Sequence, residues 1–191
     1  MKKFIIYFRF LPILLFYSVY KNNERLREDV ERWSRSDSNN ISLAKHLPFL
    51  LYERREFRNL FVYRNSNPQM HRILCIVTKI IYPIEKTLFI ECPDIGGGFY
   101  IMHGFATYIA ALKIGKNCSV NQQVTIGYNG NVPPPVIGDN CMIMCGAKVL
   151  GNIEIGNSTK IGANAVVIRD YKRGHGTLVG VPAVPKNELE I

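Results

Sequence analysis

Aliphatic residues recur at every sixth position in the second half of the chain. The positions in phase are Ile114, Val120, Ile126 and, after a gap, Ile137, Ile143, Val149, Ile155, Ile161 and Val167. This spacing excludes a helix, because an apolar residue at every sixth position does not form one face at 3.6 residues per turn. It predicts a triangular solenoid whose hexapeptides each form a short flat side and a corner, with the aliphatic side chains stacked inside.

The first half of the chain has a helical pattern. Apolar residues such as Leu26, Val30 and Trp33 recur at intervals of three and four over residues 23–64, which is the period of an amphipathic helix. A Ser/Asp/Asn cluster from Ser34 to Asn40 interrupts the pattern and predicts a loop.

A second break falls at residues 65–68, and a further apolar helix is predicted from Met70 to Tyr82. We therefore expect two regions. The first is an α-helical N-terminal region over residues 1–90, and the second is a β-helix domain with a C-terminal tail over residues 91–191.

The run from Phe4 to Tyr20 is almost continuously apolar, but it contains Arg9 and Pro12. It is shorter than the roughly 20 residues that a membrane span needs, and no small-residue cleavage site follows it. A helix lying on a membrane surface or partner is favoured over a helix packed against the rest of the chain, and a span is the least favoured alternative. We expect peripheral membrane contact through residues 4–20, and no secretion.

The net charge of +9 is concentrated in the first half. Residues 1–90 contain 16 Lys and Arg against 8 Asp and Glu, whereas residues 91–191 contain 8 against 7. The excess suits an anionic membrane, an acidic substrate or ordinary solvated helix faces. No nucleic-acid-binding motif accompanies it, so no nucleic-acid partner is expected.

The cysteines and histidines bear on the compartment and on metal binding. The five cysteines are odd in number and lack C-x-x-C spacing, which is typical of reduced thiols. We expect a cytoplasmic protein, or one at the inner face of the membrane. The four histidines are scattered along the sequence, so we expect no metal.

The second half resembles the hexapeptide-repeat acyltransferase family, particularly serine acetyltransferases and the related O-acetyltransferases of capsule and exopolysaccharide synthesis. The segments that carry the resemblance are Ile95 to Gly104, Val124 to Gly127, Gly146 to Ile153, Ile161 to Val167 and Val179 to Ala183. The resemblance implies a mainly β fold with a left-handed parallel β-helix, and a homotrimer. It also implies acetyl-CoA as acyl donor, bound between neighbouring β-helices.

The resemblance also assigns candidate site residues. His103 matches the catalytic histidine of the family, and histidine suits a general base for an alcohol at neutral pH. Glu91 and Asp94 are the nearby carboxylates that remain to orient it. The residues implied to line the CoA arm or approach its phosphates are Gly127, Gly146, Ala147, Gly162, Ala163 and Lys186.

Three residues depart from the serine acetyltransferase pattern. Pro133 and Pro134 stand where those enzymes carry an Arg-His pair that helps hold the amino acid, and Met102 replaces the aspartate before the catalytic histidine. We therefore expect acetylation of a hydroxyl on a sugar or polysaccharide precursor. Serine O-acetylation in cysteine biosynthesis is the alternative, and a non-catalytic β-helix scaffold also remains open. The interruption from Tyr128 to Pro135 predicts a loop pushed out of one corner, where function often lies.

Overall fold

The structure is a computed structural model that describes residues 21–36, 43–66, 75–76, 79–80 and 82–188. The chain divides into two compact units, Met1–Glu85 and Lys86–Ile191. The predicted helix from Phe4 to Tyr20 lies outside the described residues. Within the described part of the chain, no helix has the length and apolarity that a membrane span requires.

Three helices of the first unit are described over their full length: α1 (Glu24–Ser36), α2 (Leu43–Glu53) and α3 (Arg55–Asn65). Asn23 caps α1, because its Oδ1 accepts a 3.0 Å hydrogen bond from the backbone N–H of Leu26. The helix extends two residues beyond the predicted break at Ser34. The hydroxyl of Ser34 donates a 2.6 Å hydrogen bond to the carbonyl of Val30, so the polar side chain is satisfied within the helix.

The apolar stripe predicted for α1 is buried. Leu26, Val30 and Trp33 are all 2% exposed or less, and the rings of Trp33 and Phe57 meet edge to face with centroids 5.3 Å apart. Most of the predicted helix from Met70 to Tyr82 lies outside the described residues; residues 75–76 and 79–80 are helical.

The second unit is a left-handed parallel β-helix, as predicted, built from short strands. The strands are β1 (Leu88–Ile90), β2 (Tyr100–Ile101), β3 (Thr107–Ile109), β4 (Lys113–Ile114), β5 (Ser119–Val120), β6 (Thr125–Gly127), β7 (Val136–Ile137), β8 (Met142–Ile143), β9 (Lys148–Leu150), β10 (Glu154–Ile155), β11 (Lys160–Ile161), β12 (Val166–Val167), β13 (Thr177–Gly180) and β14 (Ala183–Pro185). A 3₁₀ turn at Lys186–Glu188 follows β14.

These strands form three sheets. Sheet 1 has the order β1-β3-β6-β9-β12, sheet 2 has β10-β7-β4, and sheet 3 has β14-β13-β11-β8-β5-β2. All pairings are parallel except that of β13 with β14. The chain passes from sheet 1 to sheet 2 to sheet 3 in each coil. The strand β1 lies before residue 91, where the β-helix was predicted to begin, and pairs with β3.

The six-residue repeat places one buried column inside each sheet. In sheet 3, Ile101, Val120, Ile143, Ile161 and Leu178 are in register from coil to coil, and each is 2% exposed or less. The stacking of these aliphatic side chains buries a continuous core, which explains the spacing in the sequence.

Candidate active site

A bulge interrupts the corner that leads from sheet 3 to sheet 1 in the first coil. Six residues lie between Ile101 and Tyr108, whereas four lie between their register partners Val120 and Thr125. Backbone hydrogen bonds restore the register on each side of the extra residues. This first-coil corner, residues 102–106, is called the His103 corner below.

His103 lies in the bulge with an exposed side chain and a left-handed backbone, φ 60°. The regular left-handed position of this corner is Ala106, since it pairs in register with Gln123, which has the same conformation. The left-handed conformation of His103 is therefore an addition to the repeat. A non-glycine residue held with positive φ on a bulge is typical of functional sites, where the bulge redirects a side chain.

The corner between sheet 3 and sheet 1 recurs in each later coil. These corners form a column that runs along the axis of the β-helix from His103 towards the C-terminus, and this direction is called below His103. In the next three coils, the residues that follow the buried column by two positions, as His103 does, are Gln122, Cys145 and Ala163. Neighbouring coils are about 4.8 Å apart, so Ala163 lies about 14 Å along the axis from His103. Two of the predicted donor-binding residues, Gly162 and Ala163, belong to this corner.

Gly146 and Ala147 also lie at this corner, one coil before Gly162. Gly146 has φ 72°, and a Cβ there would overlap Oδ1 of Asn164. The coil itself therefore requires this glycine. The ammonium of Lys148 donates hydrogen bonds to the carbonyls of Gln123 at 2.7 Å and Gly146 at 3.0 Å, which fixes the two coils to each other.

The other predicted donor-binding residues lie elsewhere. Gly127 is the last residue of β6, so it lies at the end of the sheet 1 strands that is remote from the His103 corner. It is next to the ring of Tyr108. Lys186 is exposed in the 3₁₀ turn after β14. The structure thus brings four of the six predicted donor-binding residues to the corner type that His103 occupies.

Glu91 and Asp94 lie in the corner between sheet 1 and sheet 2. This corner is at the C-terminal ends of the sheet 1 strands, whereas the His103 corner is at their N-terminal ends. Oε2 of Glu91 accepts a 2.5 Å hydrogen bond from the phenol of Tyr108, and this bond raises the pKa of Tyr108. Oδ2 of Asp94 lies 3.9 Å from the ammonium of Lys113. Both carboxylates thus have partners of their own in that corner.

The predicted loop lies at the C-terminal ends of the sheet 1 strands, as Glu91 does. Residues 128–135 separate β6 from β7, whereas only residues 110–112 separate β3 from β4 in the preceding coil. Asn129 and Val132 form an antiparallel bridge around Gly130, which has φ 65°. Pro133 is exposed and Pro134 is buried. Within one chain, the loop and His103 lie at opposite ends of the sheet 1 strands.

Gln122 was missed by the sequence analysis. It stands directly opposite the bulge that carries His103, and its Oε1 is buried without a hydrogen-bond partner among the described residues. The repeat phase contained the signal, since Gln122 stands two positions after Val120, as His103 stands two positions after Ile101.

Comparisons with known proteins agree with this architecture. A family described as bacterial transferase hexapeptide (six repeats) matches residues 134–169. A serine acetyltransferase of Bacillus pumilus is 44% identical over 124 residues, which are 63% of this chain and 55% of that protein. One from Synechococcus elongatus is 33% identical over 126 residues, 64% of this chain and 50% of that protein.

A solved structure adds the fold. Serine acetyltransferase of Neisseria gonorrhoeae in complex with serine superposes with a TM-score of 0.62 at 25% identity, over 92% of this chain and 73% of that chain. The chain spans about half of the length of the curated relatives it matches.

The repeats and the fold define a hexapeptide-repeat protein of the left-handed β-helix type. Within that class the chain is similar to serine acetyltransferases, which confirms the predicted resemblance.

The prediction of a sugar or polysaccharide acceptor is wrong. The relatives at 33% and 44% identity are named serine acetyltransferases, which favours the alternative. The inference depended on Met102 and on two prolines, Pro133 and Pro134, which remove a cationic pair from the loop of residues 128–135. Two side chains are a weak basis for excluding an amino acid, because backbone N–H groups also bind carboxylates.

Proposed function

We propose that this protein is an acetyl-CoA-dependent serine O-acetyltransferase. The observation that carries the proposal is the 44% identity over 124 residues to the serine acetyltransferase of Bacillus pumilus. The exposed, redirected position of His103 supports it, since the reaction needs a base that a substrate can reach.

In the proposed reaction His103 takes the proton of the serine hydroxyl while the hydroxyl oxygen attacks the thioester carbonyl. A new ester bond forms, the carbon–sulfur bond breaks, and the proton passes from His103 to the departing thiolate. Backbone N–H groups at the corner would stabilise the tetrahedral oxyanion. No acyl-enzyme is required.

The donor is proposed to lie along the column of corners below His103. Gly146, Ala147, Gly162 and Ala163 line this column, and their small side chains leave the backbone accessible to an extended arm. Gly127 and Lys186 lie apart from the column in one chain, so their predicted roles require a neighbouring copy.

A homotrimer would supply that neighbour. Exposed apolar side chains lie on sheet 1 and next to it: Phe89 of β1 is 51% exposed, and Ile168, the residue after β12, is 44% exposed. Contact between copies would bury such a surface. It would also bring the loop of residues 128–135 from one copy towards His103 of another. The cytoplasmic location is proposed as well, and the five unpaired cysteines support it.

The test is release of CoA from acetyl-CoA by the purified protein, measured with and without L-serine. We expect serine-dependent release that falls at least a hundredfold in His103→Ala, on the scale of general-base catalysis. His175→Ala is the matched control, because His175 is also exposed and has φ 52°. Absence of serine-dependent release, or equal rates for His103→Ala and the wild type, would refute the proposal.

A further inference from the structure

Gln122 faces the bulge of His103 from the next coil. The N–H of Met102 donates a 2.8 Å hydrogen bond to the carbonyl of Val120, and the N–H of Gln123 donates a 3.0 Å bond to the carbonyl of Phe105. Between these two bonds, three residues on the first coil (residues 103–105) stand opposite Gln122 alone.

Side chains at this corner reach across from one coil to the next. The pair immediately before it shows this, because Nδ2 of Asn121 lies 3.9 Å from Sδ of Met102. Gln122 and His103 each follow that pair by one residue. Their side chains are therefore attached to neighbouring positions on adjacent coils, about 4.8 Å apart along the axis.

The two side chains have complementary needs. Oε1 of Gln122 is buried and accepts no hydrogen bond from any described residue, and a buried acceptor without a donor is costly. The imidazole of His103 likewise has no hydrogen-bond partner in the described part of the chain. A neutral imidazole carries one N–H donor, and the partner of that donor decides which ring nitrogen is left as the base.

We propose that Gln122 is the positioning residue of His103. In the reacting conformation its Oε1 accepts a hydrogen bond from one imidazole N–H, which holds a single tautomer and leaves the other ring nitrogen free to take the acceptor's proton. Gln122 thereby supplies the orientation that a carboxylate gives in other acid–base sites. At the other end of the sheet 1 strands, Glu91 accepts a hydrogen bond from Tyr108 and Asp94 pairs with the ammonium of Lys113.

This inference rests on the proposed role of His103, but it is tested first without turnover. The ¹⁵N chemical shifts of the imidazole report the proportions of the two neutral tautomers. We expect one tautomer of His103 to dominate in the wild type. In Gln122→Met, which keeps the side-chain length and removes the acceptor, the proportions should become mixed, and Gln122→Glu should restore the single tautomer.

Gln123→Met is the matched control, because Gln123 is the adjacent glutamine of the same corner and its side chain is exposed. It should leave the tautomer unchanged. In serine acetylation, Gln122→Met should lower kcat about 10- to 100-fold with little change in the KM for serine, and Gln122→Glu should recover most of the loss.

Two results would overturn the inference. One is an even tautomer mixture at His103 in the folded wild type, which requires no variant to fold. The other is an unchanged tautomer ratio in folded Gln122→Met. If the wild type shows no serine-dependent turnover, the proposed function fails, and the tautomer measurement still decides whether Gln122 orients His103.

Discussion

Nε of Arg64 lies 2.7 Å from Oδ2 of Asp29, and this ion pair joins α3 to α1 inside the helical unit. The side chains are 3% and 0% exposed. Nη2 of Arg64 adds a second hydrogen bond of 3.2 Å to Oδ1, so the guanidinium meets both carboxylate oxygens. A bidentate pair of this kind fixes how two helices are placed against each other.

Removal of one partner should be strongly destabilising. In Asp29→Ala the charge of Arg64 stays buried without its carboxylate, and we expect the free energy of unfolding to fall by about 3–5 kcal/mol. Urea unfolding followed by helical circular dichroism measures the change. Arg35→Ala is the control in the same helix, because the Arg35–Glu31 pair is 71% and 50% exposed, and it should cost about 0–1 kcal/mol. Equal losses in the two variants would contradict the role given to the buried pair.

A second prediction concerns the close approach of neighbouring coils. A Cβ at Gly115 would lie 2.6 Å from the backbone N of Asp139 and from the carbonyl carbon of Gly138. The coils must separate to admit it, so Gly115→Ala should destabilise the β-helix by about 1–3 kcal/mol. A Cβ at Gly127 meets nothing nearer than the ring of Tyr108 at 3.9 Å, so Gly127→Ala should change stability by less than about 0.5 kcal/mol. Thermal unfolding of the two variants compares them, and a larger loss in Gly127→Ala would refute this account.

The repeat phase explains how far the fold was predictable. The six-residue period predicts that an aliphatic residue such as Ile143 points inward and stacks on its equivalent in the next coil, Ile161. The strand β1 was missed because Leu88–Ile90 precedes the regular phase, and its assignment depends on pairing with Thr107–Ile109. That pairing is not local in the sequence.

Within the candidate site, the sequence predicted only what the residues adjacent in the chain identify. His103 was found from its own neighbours in the sequence, but its surroundings depend on which residues the coils bring together. Glu91 is twelve positions from His103, yet the intervening chain passes two corners and leaves it bonded to Tyr108. Gln122 is nineteen positions away and stands directly opposite. In a solenoid, register is a better guide to proximity than distance along the chain.

Tyr108 provides a prediction about pH. Its hydrogen bond to Glu91 raises the pKa of the phenol above the ordinary value of 10.0. Because the pKa is raised in the folded state, this bond stabilises the β-helix below about pH 10 and is lost as the pH rises through the folded-state value. Glu91→Gln should lower the pKa of Tyr108 towards its ordinary value.

The ionisation of Tyr108 can be isolated from that of the other tyrosines. Subtracting the ultraviolet titration of Tyr108→Phe from that of its parent leaves the Tyr108 transition, in both the wild type and the Glu91→Gln background. The same Tyr108 transition in both backgrounds would show that Glu91 does not hold the phenol in solution.

The cysteines give the last prediction, because they differ in burial. Cys75, Cys92, Cys118 and Cys141 are buried, whereas Cys145 is half-buried. Burial raises the pKa of Cys75 and Cys92, and the hydrogen bond with Cys141 together with burial raises that of Cys118. The same hydrogen bond lowers the pKa of Cys141, so burial alone shields that thiol from the reagent. A protonated, enclosed thiol reacts slowly. Iodoacetamide should therefore alkylate Cys145 first, as mass spectrometry of the digested protein would show.

Cys145 also reports on the proposed donor path, because it lies in the column of corners below His103. If acetyl-CoA lies along that column, saturating acetyl-CoA should slow alkylation of Cys145 at least tenfold, since a ligand in excess of its Kd protects the site it covers. Acetyl-CoA carries no free thiol to consume the reagent. Alkylation of the buried cysteines in urea should be unaffected by the ligand and serves as the control. An unchanged rate at Cys145 in the native protein, under conditions where acetyl-CoA binding is measured directly, would place the donor on another face of the β-helix.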